Sequence, residues 1–499
     1  MSGLLTKFLN VSHKTGIRVH FTTYTIILAM TVLLLLPALD NGFPFWYPDA
    51  SEYVGGFGIT HVDPSRSIYY ILFTRVLDLP IFVPSSTSWT GWNLKAWSPW
   101  PSVVVQSLIT AWVIWRFASA LFRLTTALPL LLLTLILVFG TSLPWFVGQI
   151  MPDIFTALMI LSLSLLCFSL DNLSRMSRIL LLLLVGAAVM FHQANLLVAL
   201  WMLPALGLCA LLGWRPSKPF LRRLFASGIG LLTLGVVALT TANLASGRFG
   251  LSGHGSIFLL ARFIGDGTAL NYLEKTCPQR HFSICAYLDE FRSYRPPMRV
   301  IPGCPPFQPS VDGHFLFEGP LDKLGGWFAE EPEASAIVVG TLLAYPLTQF
   351  RASINDGLRQ LFSFRIGADG LCAYPENSLS MVIDNVFGRV VYDHYRNSKQ
   401  IRNELLDRFD LLNYIQAAVL VASALVLIGF LVRELRKQRR AFFASLSVIV
   451  LVAGNAFTLG ALAVPTDRYQ SRVIWLVPLL AACVLLEHLS PVLSKTNRV

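Results

Sequence analysis

About ten runs of apolar residues, each near the length that crosses a bilayer, dominate this chain and leave it few possible folds. Some 20 apolar residues in a row suffice to traverse the hydrocarbon core. The runs fall at 21–39, 97–116, 124–142, 153–170, 179–191, 194–213, 224–242, 411–432, 441–461 and 471–487. The fifth is short, and FHQAN separates it from the sixth. Of the 499 residues, 54% are hydrophobic and only 13% charged, which no ordinary soluble domain matches. The expected class is an all-α polytopic membrane protein of about ten transmembrane helices.

Orientation follows from the basic residues, which cytoplasmic loops retain. Lys7, Lys14 and Arg18 precede the first run; Arg116 and Arg123 follow the second, and Arg175 and Arg178 the fourth. Arg215, Lys218, Arg222 and Arg223 follow the sixth, and RELRKQRR follows the eighth. With ten passes every cluster, and both termini, fall on the cytoplasmic side. The net charge of +11 is then mostly topology, and no nucleic-acid partner is needed to explain it. The flank LDNG lacks a small-x-small cleavage site, so the first run reads as retained.

The same count divides the chain into three parts. Residues 1–242 form an amino-terminal transmembrane module with a first outer loop at 40–96. Residues 243–410 form an extracytoplasmic domain of mixed or mainly helical structure, and 411–499 the carboxy-terminal helices. Cys277, Cys285, Cys304 and Cys372 all lie in the middle part, whereas Cys167, Cys209 and Cys483 lie in apolar runs. Four cysteines in an oxidising compartment point to two disulfides with three connectivities, of which Cys277–Cys285 is the easiest closure. The apolar stretch 334–350 would reverse the charge pattern if it spanned. It is expected instead as a helix on the membrane surface or against the outer domain.

Walker A, HExxH, GxSxG and Asp-x-Asp patterns do not occur, so those nucleotide, protease and hydrolase chemistries lack their local signatures. The candidate groups lie at the outer ends of the apolar runs. YPDASEY places Asp49 and Glu52 three residues apart beside Tyr53, with His61, Asp63 and Arg66 following. Asp153 in MPDIF opens a run at its outer end, where a capping role is the simpler reading. His192 lies in FHQAN. Arg468 and Arg472 in DRYQSR break the charge rule, share one helical face, and carry guanidiniums suited to phosphate oxygens. Arg66 and Arg75 are further exceptions, expected either to pair with Asp63 and Asp78 or to meet a phosphate group. The aromatic row Phe43, Phe45, Trp46 and Tyr47 reads as an interfacial belt more readily than as a sugar platform.

YPDASEY, MPDIF and DRYQSR, set in this layout, resemble the GT-C membrane glycosyltransferases, of which protein O-mannosyltransferases and lipid A aminoarabinose transferases are familiar members. The resemblance covers most of 20–490 as architecture. Its usual first-loop motif often has adjacent Asp and Glu, whereas Asp49 and Glu52 are separated here. It implies a polyprenyl-phosphate sugar as donor and a glycan, lipid or protein as acceptor, with transfer by inversion. Asp49 would be the base. Asp153 or Glu52 would orient the acceptor or hold a divalent cation, which some members use and others do not. Arg468 and Arg472 would bind the donor phosphate, with His192, Arg66 and Tyr53 contributing to the substrate site. No other cofactor is implied.

An O-antigen-type polymerase or ligase is the alternative, relying more on arginines and a histidine and less on Asp49. A transporter of a lipid-linked solute is a further one, although no repeated halves are visible. The expected location is a bacterial inner membrane, in contact with its lipids, with the large domain periplasmic.

Overall fold

Apolar sequence becomes helix almost throughout the chain. The computed structural model describes residues 2–55, 66–84, 92–245, 253–300, 308–367 and 378–496. Among these, seven helices are long and apolar enough to cross a membrane: Thr22–Asn41, Trp100–Phe122, Ala194–Leu211, Lys218–Thr241, Leu406–Glu434, Arg440–Leu462 and Asp467–Leu489. The protein is therefore a mostly helical, integral membrane protein. Three further expected runs form shorter helices, Ala127–Gly140, Ile154–Phe168 and Arg175–Phe191. At 1.5 Å per residue each covers about 21–26 Å, less than the ~30 Å of hydrocarbon. Ile154–Phe168 is buried along nearly its whole length, so neighbouring helices rather than lipid surround it.

Contacts across the bundle sort the helix ends into two layers. In one, Arg440 meets Asp171 at 3.0 Å, Gln438 donates to the Leu212 carbonyl at 2.9 Å, and Ser169 donates to the Ala120 carbonyl at 3.2 Å. In the other, the Phe45 amide donates to the Gly148 carbonyl at 2.8 Å and Ser142 to the Ser471 carbonyl at 2.6 Å. The three short helices run between these layers as the long ones do. The first layer holds the basic clusters, and the second holds the candidate site.

Residues 257–338 have an apolar core of their own, with Ile257, Leu260, Phe263, Leu273, Phe291 and Phe315 at its centre. The expected Cys277–Cys285 disulfide closes one edge of this unit. Cys304 and Cys372, like His61 and Asp63, lie outside the described residues. Cys167, Cys209 and Cys483 are buried thiols. The unit does not extend to residue 410. The helices Ser378–Phe387 and Arg389–Arg396 pack instead on the first loop, with Phe387 and Tyr395 against Trp46. Gln400 fastens that contact: it accepts from the Trp46 amide at 3.0 Å and donates to the Trp46 carbonyl at 2.6 Å.

The first loop differs from expectation in two ways. Besides the helices Ala50–Gly55 and Ile68–Leu77 it contains a two-stranded antiparallel sheet, Leu79–Pro84 with Trp92–Ser98. Pro80 and Pro84 are tolerable there because a two-stranded sheet has only edges. Moreover, Phe43, Phe45 and Trp46 are buried rather than forming an interfacial belt. Phe45 stacks on Trp145, and Trp46 donates its indole N–H to Ser51 Oγ at 3.1 Å. The stretch 334–350 becomes the end of one helix and the start of the next, Ala329–Ala344 and Pro346–Phe362, bent by 103°.

Closing a loop of 8 residues' separation restricts the unfolded chain by roughly 2–3 kcal/mol on the chain-entropy account. Cys285→Ser is therefore expected to lower the unfolding temperature of the 257–338 unit by several degrees. Added reductant should lower the wild-type temperature by at least as much, and the variant by less than the wild type, as read by differential scanning fluorimetry.

Candidate functional site

Asp153 occupies the N-cap position of Ile154–Phe168, yet its side chain makes no capping bond. The carboxylate is turned toward the helix Asp467–Ile474 instead. Arg472 Nη1 donates to Asp153 Oδ1 at 2.9 Å, while Arg468 directs Nε and Nη2 to Oδ2 at 3.0 and 2.8 Å. The four-residue spacing of the two arginines is what lets both reach one carboxylate. Capping is thus set aside for a pairing that neutralises cations at a span's end.

From this buried core the charges alternate outward. Arg468 Nη1 donates to Asp49 Oδ2 at 2.8 Å. Asp49 Oδ1 accepts from Arg66 Nη2 at 3.0 Å, and Arg66 Nε donates to Glu52. Side-chain exposure rises along the acids, from 0% at Asp153 through 24% at Asp49 to 39% at Glu52, and along the arginines from 0% at Arg472 through 10% at Arg468 to 21% at Arg66. Three carboxylates and three guanidiniums balance, so the row as a whole is neutral. Asp49, the central acid with an open side, is the group best placed to meet a ligand.

The surroundings fix this row in place. Tyr47 lies under the Arg468 guanidinium at 4.1 Å, a cation–π contact. Asn455 accepts from Arg472 Nη2 at 3.1 Å, and its amide donates to the Tyr469 carbonyl at 2.7 Å and to Gln470 Oε1 at 3.1 Å. Sequence assigned Asn455 no role and read Tyr47 only as part of an interfacial aromatic belt. Asn455, in GNAFTLG within an apolar run, carried a readable signal, since polar residues inside spans are costly and usually functional.

Other expected site residues are placed differently. Tyr53 is buried beneath Arg66 and meets Tyr70 edge-on at 5.2 Å between ring centres, so it supports the site floor and is not open to a ligand. Arg472 is likewise sealed, and it acts on Asp153 rather than on anything entering from outside. Arg75 pairs with Asp78 at 3.4 Å and donates to the Val54 carbonyl at 2.7 Å, which removes it from the row.

Electrostatics distinguish the roles. Burial alone would raise the Asp49 carboxyl, but Arg66 and Arg468 together hold it below its ordinary value of 3.8. It is an ionised acceptor at neutral pH. His192, in the turn between two helices, is pushed down to about 3 by burial and by Arg472, and so carries no charge. Its Nδ1 accepts from the Ala194 amide at 3.2 Å, leaving the proton on Nε2. As for a cation, no group of three or more His, Cys, Asp or Glu among the described residues is arranged to hold a metal ion. A guanidinium stands between each neighbouring pair of carboxylates, so the donor set does not converge on one point.

A cleft of about 710 Å³ opens between the 257–338 unit and the bundle. Arg262, Asp312, Asp356 and Arg359 line it, and its wall Val464–Pro465 leads into the helix bearing Arg468. No family model, no curated protein and no solved structure matches the chain.

Removing Asp153 would leave the buried Arg472 without a counter-ion and Arg468 with Asp49 alone. Asp153→Asn is expected to destabilise the fold by about 3–5 kcal/mol, the usual cost of breaking a buried pair. Glu52→Gln, at the exposed end, should cost less than about 1 kcal/mol. Thermal unfolding in detergent with matched controls checks both.

Proposed function

We propose that the protein is a membrane glycosyltransferase of GT-C type, transferring a sugar from a polyprenyl-phosphate donor to an extracytoplasmic acceptor. The observation that carries this reading is the row Glu52–Arg66–Asp49–Arg468–Asp153, which sets an ionised carboxylate between two guanidiniums where helix ends meet an outer loop. The two-layer arrangement supports ten passes, with the basic layer cytoplasmic. A bacterial inner membrane is the setting proposed, with the 257–338 unit in the periplasm.

The chemistry runs as follows in this reading. The donor's phosphate contacts Arg468 and Arg66, the two guanidiniums with exposed surface, and takes hydrogen bonds that Asp49 holds at rest. As it loses them, Asp49 becomes more basic and turns an oxygen to the acceptor hydroxyl. The hydroxyl oxygen attacks the anomeric carbon, its proton passes to Asp49, and the bond to the phosphate oxygen breaks with inversion. The developing negative charge on the leaving phosphate is stabilised by the same two arginines. Asp153, held by Arg472, keeps Arg468 aimed. No step is assigned to a metal.

The neutral His192 beside the arginines favours a second reading, an O-antigen-type polymerase or ligase in which imidazole rather than Asp49 handles the proton.

Donor turnover by the full chain in nanodiscs, over a panel of polyprenyl-phosphate sugars, tests both. Asp49→Asn is expected to lose at least about a thousandfold in kcat while still binding donor, and Arg468→Gln to weaken donor binding at least tenfold. Full activity in Asp49→Asn together with loss in His192→Ala would overturn the first reading in favour of the second. Because the Asp49 carboxyl is held below 3.8 in the free protein, it stays ionised on acidification from pH 7 to 5. Accordingly kcat/KM, which reports free-enzyme groups, should show no acid limb from Asp49 across that interval.

A further inference from the structure

The helix Pro346–Phe362 is amphipathic the wrong way round for a helix in a water-soluble domain. Its buried face is polar. Gln349 donates to Asp266 Oδ2 at 2.7 Å and accepts from Thr268; Asp356 accepts from Arg262. Gln360 donates to the Thr466 carbonyl at 2.7 Å and accepts from the Thr466 amide at 2.9 Å. Its uncovered face is apolar: Leu347, Phe350, Ile354, Leu358 and Phe362 are all exposed, at spacings of three and four residues that make one continuous stripe. Across the 103° bend, Val339, Leu342 and Leu343 are exposed as well and extend the apolar surface.

Two features show what this face meets. The helix lies directly on Arg440–Leu462, one of the seven candidate spans, and two glycines make the approach close. A Cβ at Gly357 would meet the Phe457 ring at 2.3 Å, and one at Gly460 would meet the Asp356 carbonyl oxygen at 2.6 Å. The stripe is thus carried by a helix packed against one long and apolar enough to cross the bilayer. Secondly, cations flank it. Arg351 and Arg359 are exposed along one side, Arg359 with a weak 3.7 Å contact to Asp356, and Lys275 sits over the Tyr345 ring at 5.2 Å beside the bend. Arginines at mid-helix and a sharp bend do not suit a segment threaded through hydrocarbon. An apolar stripe edged by cations suits an interfacial helix on anionic lipid.

We propose that Pro346–Phe362 lies in the bilayer interface on the site side, with its stripe among the acyl chains and Arg351 and Arg359 at the phosphates of anionic headgroups. The partner is phospholipid. Through Gln360 the same helix grips Thr466, the residue just before Asp467–Ile474, so lipid contact and the placement of Arg468 are mechanically linked. This inference does not rest on the proposed reaction.

Single cysteines at Ile354, Leu358 and, as a water-exposed reference, Ser293 are labelled with bimane in the full chain, with unsubstituted protein as the blank. The proteins are placed in nanodiscs of phosphatidylcholine with 30% phosphatidylglycerol. Doxyl-labelled lipid is expected to quench positions 354 and 358 at least threefold more than 293, with iodide giving the opposite order. Replacing phosphatidylglycerol by phosphatidylcholine should reduce the doxyl quenching about twofold, and Arg351→Gln with Arg359→Gln should abolish that lipid dependence. Iodide quenching at 354 equal to that at 293 would overturn the proposal, as the face would then be in water. Protection from both quenchers would overturn it too, since protein, such as a second copy of the chain, would be the cover. Unchanged lipid dependence in the double variant would overturn the headgroup assignment.

Discussion

A carboxylate with no exposed surface, Asp153, holds two arginines of another helix at the mouth of the bundle. Much of the functional end of this protein hangs on that contact. Without it Arg472 would be a bare cation against Asn455, and Arg468 would be held only by Asp49 and the ring of Tyr47. Burying an ion pair gains little net stability, because desolvation offsets most of the attraction. What it provides here is direction: it fixes two flexible side chains so that a second acid, partly open, faces the outside at a defined place.

Asp49 then inherits a mixed environment. Its neighbours keep it ionised, yet every hydrogen bond that stabilises its charge comes from a guanidinium that an incoming phosphate could also use. A carboxylate in this position is quiet when alone and becomes more basic when an anion competes for its partners. The neutral balance of the row has a related effect. An anion would have to enter by exchange of partners rather than by surplus positive charge, a condition that a ligand able to engage two guanidiniums at once meets better than simple salt ions.

How far the site was legible can be judged residue by residue. Arg468, Asp153, Asp49 and Arg66 stood out because charge at the wrong end of an apolar run is costly and demands a partner, and the structure brings these four together. Their pairing order was not legible. Nothing in the sequence shows that Arg472 points inward while Arg468 points outward, since both share one helical face and only packing separates them. Tyr53 was misjudged for the same reason: proximity to two acids along the chain said nothing about the ring of Tyr70 that covers it. Apolar runs announced the helices well, but not that Ile154–Phe168 would be short and wrapped by protein. The strand pair in the first loop escaped because prolines and a brief alternating pattern give weak signals. The clamp of Gln400 on Trp46, across 354 residues, was beyond any local pattern.

The distance along the chain between Asp153 and its partners also matters while the protein is being made. Arg468 and Arg472 follow it by 315 and 319 residues. At about 5–20 residues per second, they emerge roughly 15 to 60 s after the aspartate. For that time the amino-terminal helices hold a carboxylate whose counter-ions do not yet exist, so it must remain hydrated or take up a proton. The helix that carries Arg468 and Arg472 is therefore the one that lets the earlier ones close, and a chain that stops short of residue 468 would leave an uncompensated acid for quality control to recognise.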